Sequence, residues 1–174
     1  MLKIFYPRMY ISSIFDIKPG FLRDKGIRGV ILDLDNTIIR RDSEEFSPEV
    51  LEWLSLMRGR GFMLGIVSNN SRRRVGAIAN TLGIPAVHRA VKPWRKPFRQ
   101  ALNMMGTAPE ETALIGDQIF TDIFGGNLAG LYTILVAPMK GREFIGTRMI
   151  SRPLEKFILA RLKNRPEVCH GKWD

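Results

Sequence analysis

Val30-Ile31-Leu32-Asp33-Leu34-Asp35-Asn36-Thr37 passes, within one short stretch, from an unbroken apolar run to two carboxylates, an amide and a hydroxyl. A brief apolar run bounded by turn residues reads as a buried strand, so the polar residues stand at its exit. Side chains alternate along an extended chain, and Asp33 and Asp35 therefore leave the sheet on the same side. Two acids beside a hydrophobic segment raise at least one pKa unless a cation compensates. The pair implies a bound divalent metal, a nucleophile with its own acid, or both. The plainer alternative is that Asp35-Asn36-Thr37 is an Asx or hydroxyl-capped turn that closes a strand.

Three more polar groups follow apolar runs in order: Val67-Ser68-Asn69-Asn70 after Phe62 to Ile66, Lys92-Pro93 ahead of Phe98, and Gly116-Asp117-Gln118-Ile119-Phe120-Thr121-Asp122 after Ala113-Leu114-Ile115. In an open parallel α/β sheet the carboxyl ends of the strands converge on one crevice, which would gather these distant residues. The spacing supports such a sheet. Strands are predicted ending near Asp33 and over 62–67, 85–88, 112–115 and 132–136. Helices are predicted from Ser47-Pro48 to about Gly59, and over 71–82, 95–105 and 119–128. Ser47 is the expected N-cap of the first helix, Pro48 its first helical residue, and Val50, Leu51, Leu54 and Met57 its apolar stripe. Strands separated by helices of this length argue a three-layer α/β/α sandwich, a parallel Rossmann-like sheet covered on both faces.

A chain of 174 residues with 45% apolar content suits one compact domain over residues 1–174, with a catalytic core at about 28–140. No apolar run reaches transmembrane length, and the N-terminal stretch lacks a signal-peptide core, so the chain is expected to stay in the cytoplasm. A single cysteine, Cys169, excludes an internal disulfide.

With these motifs in place, the chain resembles the haloacid dehalogenase superfamily of phosphatases, whose four motifs occur in order between Asp33 and Asp122. The strings DLDNT, AVKP and GDQIFTDIFGGNLAG resemble the small YqeG-like subfamily, of subfamily IIIA type and related to mitochondrial phosphatidylglycerophosphate phosphatases. The resemblance implies that Asp33 is a nucleophile forming an aspartyl-phosphate, and that Asp35 protonates the leaving alkoxide and later activates water. It implies Mg²⁺ held by Asp33, the Asp35 main-chain carbonyl and Asp117, a cation suited to such oxygen donors. Asp122 and Thr37 are expected to support the ligands from behind. Ser68, with Asn69, would meet the phosphoryl oxygens. Two lysines precede proline, Lys92 and Lys96; Lys92 is taken as the phosphate-site lysine because it lies six residues before Phe98, as in that family.

The gaps between Thr37 and Ser68 and between Ser68 and Lys92 are too short for a cap domain, so a minimal, C0-type cap and an open site are expected. Arg40 and Arg41 fall where a cap loop would begin; they either engage a second phosphate or are surface charge. The net charge of +10 is carried by the ends: +4 over residues 1–29, +1 over 30–139 and +5 over 140–174. Basic, apolar-studded termini, the N-terminal 1–27 and the C-terminal 141–174, suit an anionic surface. Phe5, Tyr6, Met9, Tyr10, Ile11, Ile14 and Phe15, and at helical spacing Leu154, Phe157, Ile158 and Leu162, either lie on a bilayer or pack on the sheet. The expected partner is a phosphate monoester, an anionic phospholipid at the inner membrane face, and the expected activity is dephosphorylation of phosphatidylglycerophosphate. The rival readings are a phosphatase of nucleic-acid ends or small soluble esters, and an RNA- or ribosome-associated protein on the same fold.

Overall fold

The computed structural model of the protein describes residues 2–139 and 169–171. Seven strands form one sheet: β1 (Met9–Ile11), β2 (Gly29–Leu32), β3 (Met63–Val67), β4 (Ala86–Val87), β5 (Thr112–Gly116), β6 (Tyr132–Val136) and β7 (Cys169–Gly171). Their order is β4-β3-β2-β5-β6-β1-β7, and every pair is parallel. The helices are α1 (Pro19–Asp24), α2 (Pro48–Gly59), α3 (Arg72–Leu82), α4 (Arg95–Met105) and α5 (Phe124–Ala129), the last entered through one π-helical turn at Ile119–Ile123.

Alternation along the strands divides the core in two. Val30 and Leu32 face one way, with Leu64, Ile66, Ala113 and Ile115, onto Val50, Trp53, Leu54 and Met57 of α2 and Val75, Ile78 and Leu82 of α3. Ile31, Val67 and Leu114 face the other way, onto Phe98, Ala101, Leu102 and Met105 of α4. This is the expected α/β/α sandwich, and a central strand such as β2 is buried at all four residues because helices cover both faces. From β2 the chain moves outward through β3 and β4, then returns to β5 on the opposite side. That reversal opens a crevice at the carboxyl end of β2.

Several local expectations are corrected. In α2, Leu51 is exposed and Trp53 takes its place in the buried stripe. Positions 50, 53, 54 and 57 follow the helical period, whereas 51 lies a further step round the axis. Trp53 also donates its indole N–H to the Ile17 carbonyl at 3.3 Å. Ser47 occupies the N-cap position of α2 without a side-chain cap, while Ser71 caps α3 by accepting the Arg74 N–H. Gly83 and Gly106 end α3 and α4 at φ +62° and +67°, the left-handed geometry that glycine adopts without strain.

The N-terminal segment is a sheet strand, not a surface element. Met9, Tyr10 and Ile11 pair with Ile134, Leu135 and Val136. Met9, Ile11 and Ile14 are buried in the core, and Phe5 stacks on Phe124 with ring centroids 4.7 Å apart. Asn127 holds this segment by donating its amide to the carbonyls of Ile4 (2.7 Å) and Tyr6 (2.9 Å). Phe5, Tyr6 and Tyr10 pack against a further buried cluster, so of the apolar side chains named for this segment Phe15 alone is exposed and the others are spent on packing. The stripe at Leu154, Phe157, Ile158 and Leu162 lies outside the described residues. Among the described residues no helix is long and apolar enough to cross a membrane.

Candidate active site

Asp33 prolongs β2 by donating its N–H to the Ile115 carbonyl at 2.9 Å, which fixes its side chain at the mouth of the crevice. The chain then folds back on itself. The Leu34 carbonyl accepts the N–H groups of Ile38 and Ile39, both at 3.2 Å, and Asn36 sits at φ +63° with its N–H 2.7 Å from the Ile39 carbonyl. Asparagine tolerates that left-handed conformation better than most residues. Its side-chain oxygen accepts the Arg41 N–H at 3.2 Å, which ties the start of the following loop to the same turn.

A second loop brings the lysine. After β4 the backbone is stitched to the Ser68–Asn70 loop: Ala90 donates to the Ser68 carbonyl and Arg89 to the Asn70 carbonyl, both at 3.0 Å. The Lys92 N–H donates to Asn69 Oδ1 at 2.8 Å. Lys92 Nζ then reaches inward to Asp33 Oδ1 and Asp122 Oδ1, each at 2.5 Å. Of the two candidate lysines, Lys92 is the buried one; Lys96 is exposed on α4. Asn69, expected at the phosphate, lines the cleft but uses its carbonyl oxygen to hold the lysine loop. Ser68 is buried and lines the cleft. Its Oγ accepts the Asn70 N–H at 3.2 Å, so its own proton can be donated into the cleft.

Asp117 leaves β5, and Asp122 follows on the π turn, where Ile123 N–H and Asp122 N–H both donate to the Gln118 carbonyl. Such turns often mark functional positions because they re-aim one side chain within a helix. Gly116 makes the placement possible: a Cβ there would lie 2.4 Å from Asp122 Cγ. Asp122 Oδ2 accepts the Gln118 N–H at 3.1 Å, so both its oxygens are engaged. Carboxylate oxygens of Asp33, Asp117 and Asp122, all buried, lie within 4.8 Å of one another. Thr37 Oγ1 stands 3.5 Å from Asp33 Oδ2, a contact at the outer limit of a hydrogen bond.

The electrostatics are those of crowded acids. Burial pushes the Asp33 carboxyl up to about 7, against Lys92, which lowers it, and with Asp122 and Asp35 adding to the rise. For Lys92, burial works against the charge, but the Asp122 and Asp33 carboxylates outweigh it and hold the ammonium above its ordinary range. Three carboxylates and one ammonium leave these four groups with a formal charge of −2. Hard oxygen donors, close together and short of positive charge, fit a divalent cation of the Mg²⁺ kind. Asp122 is held by Lys92 and by the Gln118 N–H, and it stands with Asp33 and Asp117 in the group that could hold the cation.

Sequence reasoning missed the residues around Asp35. Arg74 donates Nε to Asp35 Oδ1 at 3.1 Å and a terminal nitrogen to the Arg40 carbonyl at 3.0 Å. Asn70 donates its amide to Asp35 Oδ2 at 2.8 Å. Asn70 closes the Val67-Ser68-Asn69-Asn70 string, where no role was expected of it, and Arg74 falls in the first turn of α3, which points it back at the carboxyl edge; neither position announces its partner in sequence. Arg40 pairs with Asp42 in the open, at 3.1 Å, whereas Arg41 lines the cleft. The cleft measures about 180 Å³ and brings together Asp33, Asp35, Ser68, Asn69 and Lys92 with Arg41, Asn70, Ser71, Gln118 and Thr121.

The chain has known relatives. Residues 13–130 match the family of haloacid dehalogenase-like hydrolases. The chain is 38% identical over 172 residues to a probable phosphatase, YqeG, of Bacillus subtilis, covering 99% of this chain and 98% of that one. It is 30% identical over 167 residues to the mitochondrial phosphatidylglycerophosphatase of Saccharomyces cerevisiae, covering 87% of this chain and 84% of the yeast protein. A crystal structure of a HAD phosphatase from Thermococcus onnurineus superposes with a TM-score of 0.56 at 17% identity, over 68% of this chain and 90% of that one, and shows the shared fold. The protein belongs to the haloacid dehalogenase-like hydrolases, and it is a phosphatase of that type.

Proposed function

We propose that this haloacid dehalogenase-like phosphatase hydrolyses phosphate monoesters through a covalent intermediate on Asp33, with Mg²⁺ as cofactor and phosphatidylglycerophosphate as its natural substrate. The observation that carries the reading is the buried cluster in which one ammonium, Lys92, faces Asp33 and Asp122 while Asp117 adds a third carboxylate, next to a cleft that opens onto Asp33 and Asp35. Asp33 and Asp117, with the Asp35 main-chain carbonyl by family pattern, would hold the cation. When bound, it would offset the charge of both nucleophile and phosphoryl group.

Asp33 attacks phosphorus, the bond to the ester oxygen breaks, and the departing alkoxide takes a proton from Asp35. Water then attacks the aspartyl-phosphate while Asp35 accepts its proton, releasing phosphate and restoring Asp33. Ser68 donates its hydroxyl to a phosphoryl oxygen, and Lys92 lends its charge to the same region. Arg74 and Asn70 fix the Asp35 carboxylate where it can serve both steps.

The substrate rests on the yeast relative's activity and on a cleft with no domain inserted between Thr37 and Lys92 among the described residues, which suits a headgroup attached to a large body. The test is phosphate release from phosphatidylglycerophosphate in vesicles, compared with soluble glycerol phosphates and 5′-phosphorylated oligonucleotides. The lipid is expected to be cleaved with the highest kcat/KM; a preference for either soluble class would overturn the lipid assignment.

A further inference from the structure

Arg89-Ala90-Val91-Lys92-Pro93-Trp94-Arg95-Lys96 joins β4 to α4 and carries two opposite features. Lys92 is buried against Asp33, while the apolar residues on either side point into water: Val91 is 63% and Trp94 69% exposed. They are the two most exposed large hydrophobic side chains among the described residues, and they flank Lys92, which lines the catalytic cleft. Other exposed apolar residues, such as Met63 at the start of β3 and Met104 at the end of α4, sit at the opposite edge of the sheet.

The backbone of this loop is unusual as well. Arg89 and Val91 adopt φ +47° and +54°. For a β-branched residue that conformation is a rare outlier, and such outliers gather where function needs them. The fold thus holds valine in a conformation that glycine would take more readily, and in doing so it turns the isopropyl group outward.

Charge surrounds the pair. Residues 53–109 contain ten Lys and Arg and no Asp or Glu. Five of the ten, Arg72, Arg73, Arg89, Arg95 and Lys96, are exposed in the loops and first helical turns that follow β3 and β4, hence on the carboxyl edge of the sheet with Val91 and Trp94. Tryptophan beside an aliphatic wedge and a basic rim is the side-chain set that settles at an anionic lipid interface, where the ring sits at headgroup level and the cations meet lipid phosphates. A nucleic-acid surface would use the same charge but has no use for an exposed valine.

We infer that the Arg89–Lys96 loop is the membrane-docking element: Val91 and Trp94 enter the headgroup region of an anionic bilayer, with the carboxyl-edge arginines on lipid phosphates, so that the catalytic cleft opens onto the membrane. The inference rests on the lipid-phosphatase reading above and moves the membrane contact from the N-terminus, where every apolar residue of that set but Phe15 is buried or packed on the core, to the loop that carries Lys92.

The test compares the full chain with the double variant Val91→Gly/Trp94→Ser, in which glycine suits the positive φ. Cosedimentation is measured with vesicles of phosphatidylglycerol and phosphatidylcholine, with phosphatidylcholine vesicles alone, and with a structured RNA. Hydrolysis of a soluble aryl phosphate and of phosphatidylglycerophosphate in vesicles is measured in parallel. Wild type is expected on anionic vesicles only, with binding weakened by salt. The double variant should lose at least about tenfold in vesicle affinity and in lipid hydrolysis while keeping aryl phosphate turnover within about twofold. Unchanged vesicle binding in the variant, binding to neutral vesicles or none, or equal loss on both substrates overturns the inference, as does loop-dependent binding to RNA in preference to vesicles. Loop-dependent binding without lipid hydrolysis would leave the docking element standing and remove the substrate; lipid hydrolysis indifferent to the loop would do the reverse.

Discussion

Lys92→Met offers the sharpest test of the charge arrangement, because methionine keeps much of the stem and removes only the ammonium. In the native protein Nζ lies 2.5 Å from both Asp33 Oδ1 and Asp122 Oδ1, and all three side chains are nearly inaccessible. Without it, two carboxylates stay buried with no cation between them. Removing one partner of a buried ion pair costs about 3–5 kcal/mol, which for a protein of this size lowers the unfolding midpoint by roughly 6–20 °C. The loss has a pH signature. Asp33 is raised to about 7 from 3.8, chiefly by burial, with Lys92 pulling it down. A carboxyl with a raised folded pKa favours folding when protonated, so its contribution is full below about 3.8 and is lost as pH climbs through the folded value. The substitution removes the pull of Lys92 and moves that folded value higher still. The gap between wild type and variant should therefore be wider near pH 8 than near pH 4, where protonation of Asp33 leaves only the contact with Asp122 to lose. Urea unfolding of metal-free protein in chelator, at a series of pH values, measures it. A gap below about 1 kcal/mol near pH 8, or one that does not change with pH, would refute the reasoning.

The other expectations concern the same cluster. Asp33→Asn should cut aryl phosphate hydrolysis by about three orders of magnitude or more, yet unfold no more easily near pH 8 than wild type, since it removes a buried charge; retained turnover would exclude Asp33 as the nucleophile. Gly116→Ala places a Cβ 2.4 Å from Asp122 Cγ and should cost about 1–3 kcal/mol together with most of the activity; full activity in the purified variant would show that Asp122 can be displaced harmlessly. Millimolar Mg²⁺ should raise the thermal midpoint more near pH 8 than near pH 5, because protons compete for Asp33 below about 7; equal shifts, or none, would count against a cation held there. Arg74→Ala should lower kcat on an aryl phosphate more than it raises KM, because it frees one Asp35 oxygen; an unchanged kcat would make Arg74 structural only.

The fold was legible where local patterns were long. Apolar runs ending in polar groups marked β2, β3 and β5, and helical spacing placed α3 and α4 to within a residue of their bounds. The N-terminal strand was not legible, because three residues carry too little periodicity to tell a strand from an amphipathic surface piece; only pairing with β6 decides it. In the candidate site, Asp33, Asp35, Ser68, Lys92, Asp117 and Asp122 could be named because each ends an apolar run or matches a motif. Asn70 and Arg74 could not, since their significance lies in a partner more than thirty positions away, as for Arg74 and Asp35.

What the sequence determined by itself is the set of chemical groups and the strands that deliver them: alternation and burial oblige the chain to bring its acids out at one edge of a parallel sheet. Which group faces which was decided only by tertiary structure. The choice of Lys92 over Lys96, the Arg74 and Asn70 clamp on Asp35, and the outward turn of Val91 and Trp94 all depend on two loops stitched together across the end of the sheet. Hydrogen bonds between distant backbones fix those loops, and no local propensity encodes them.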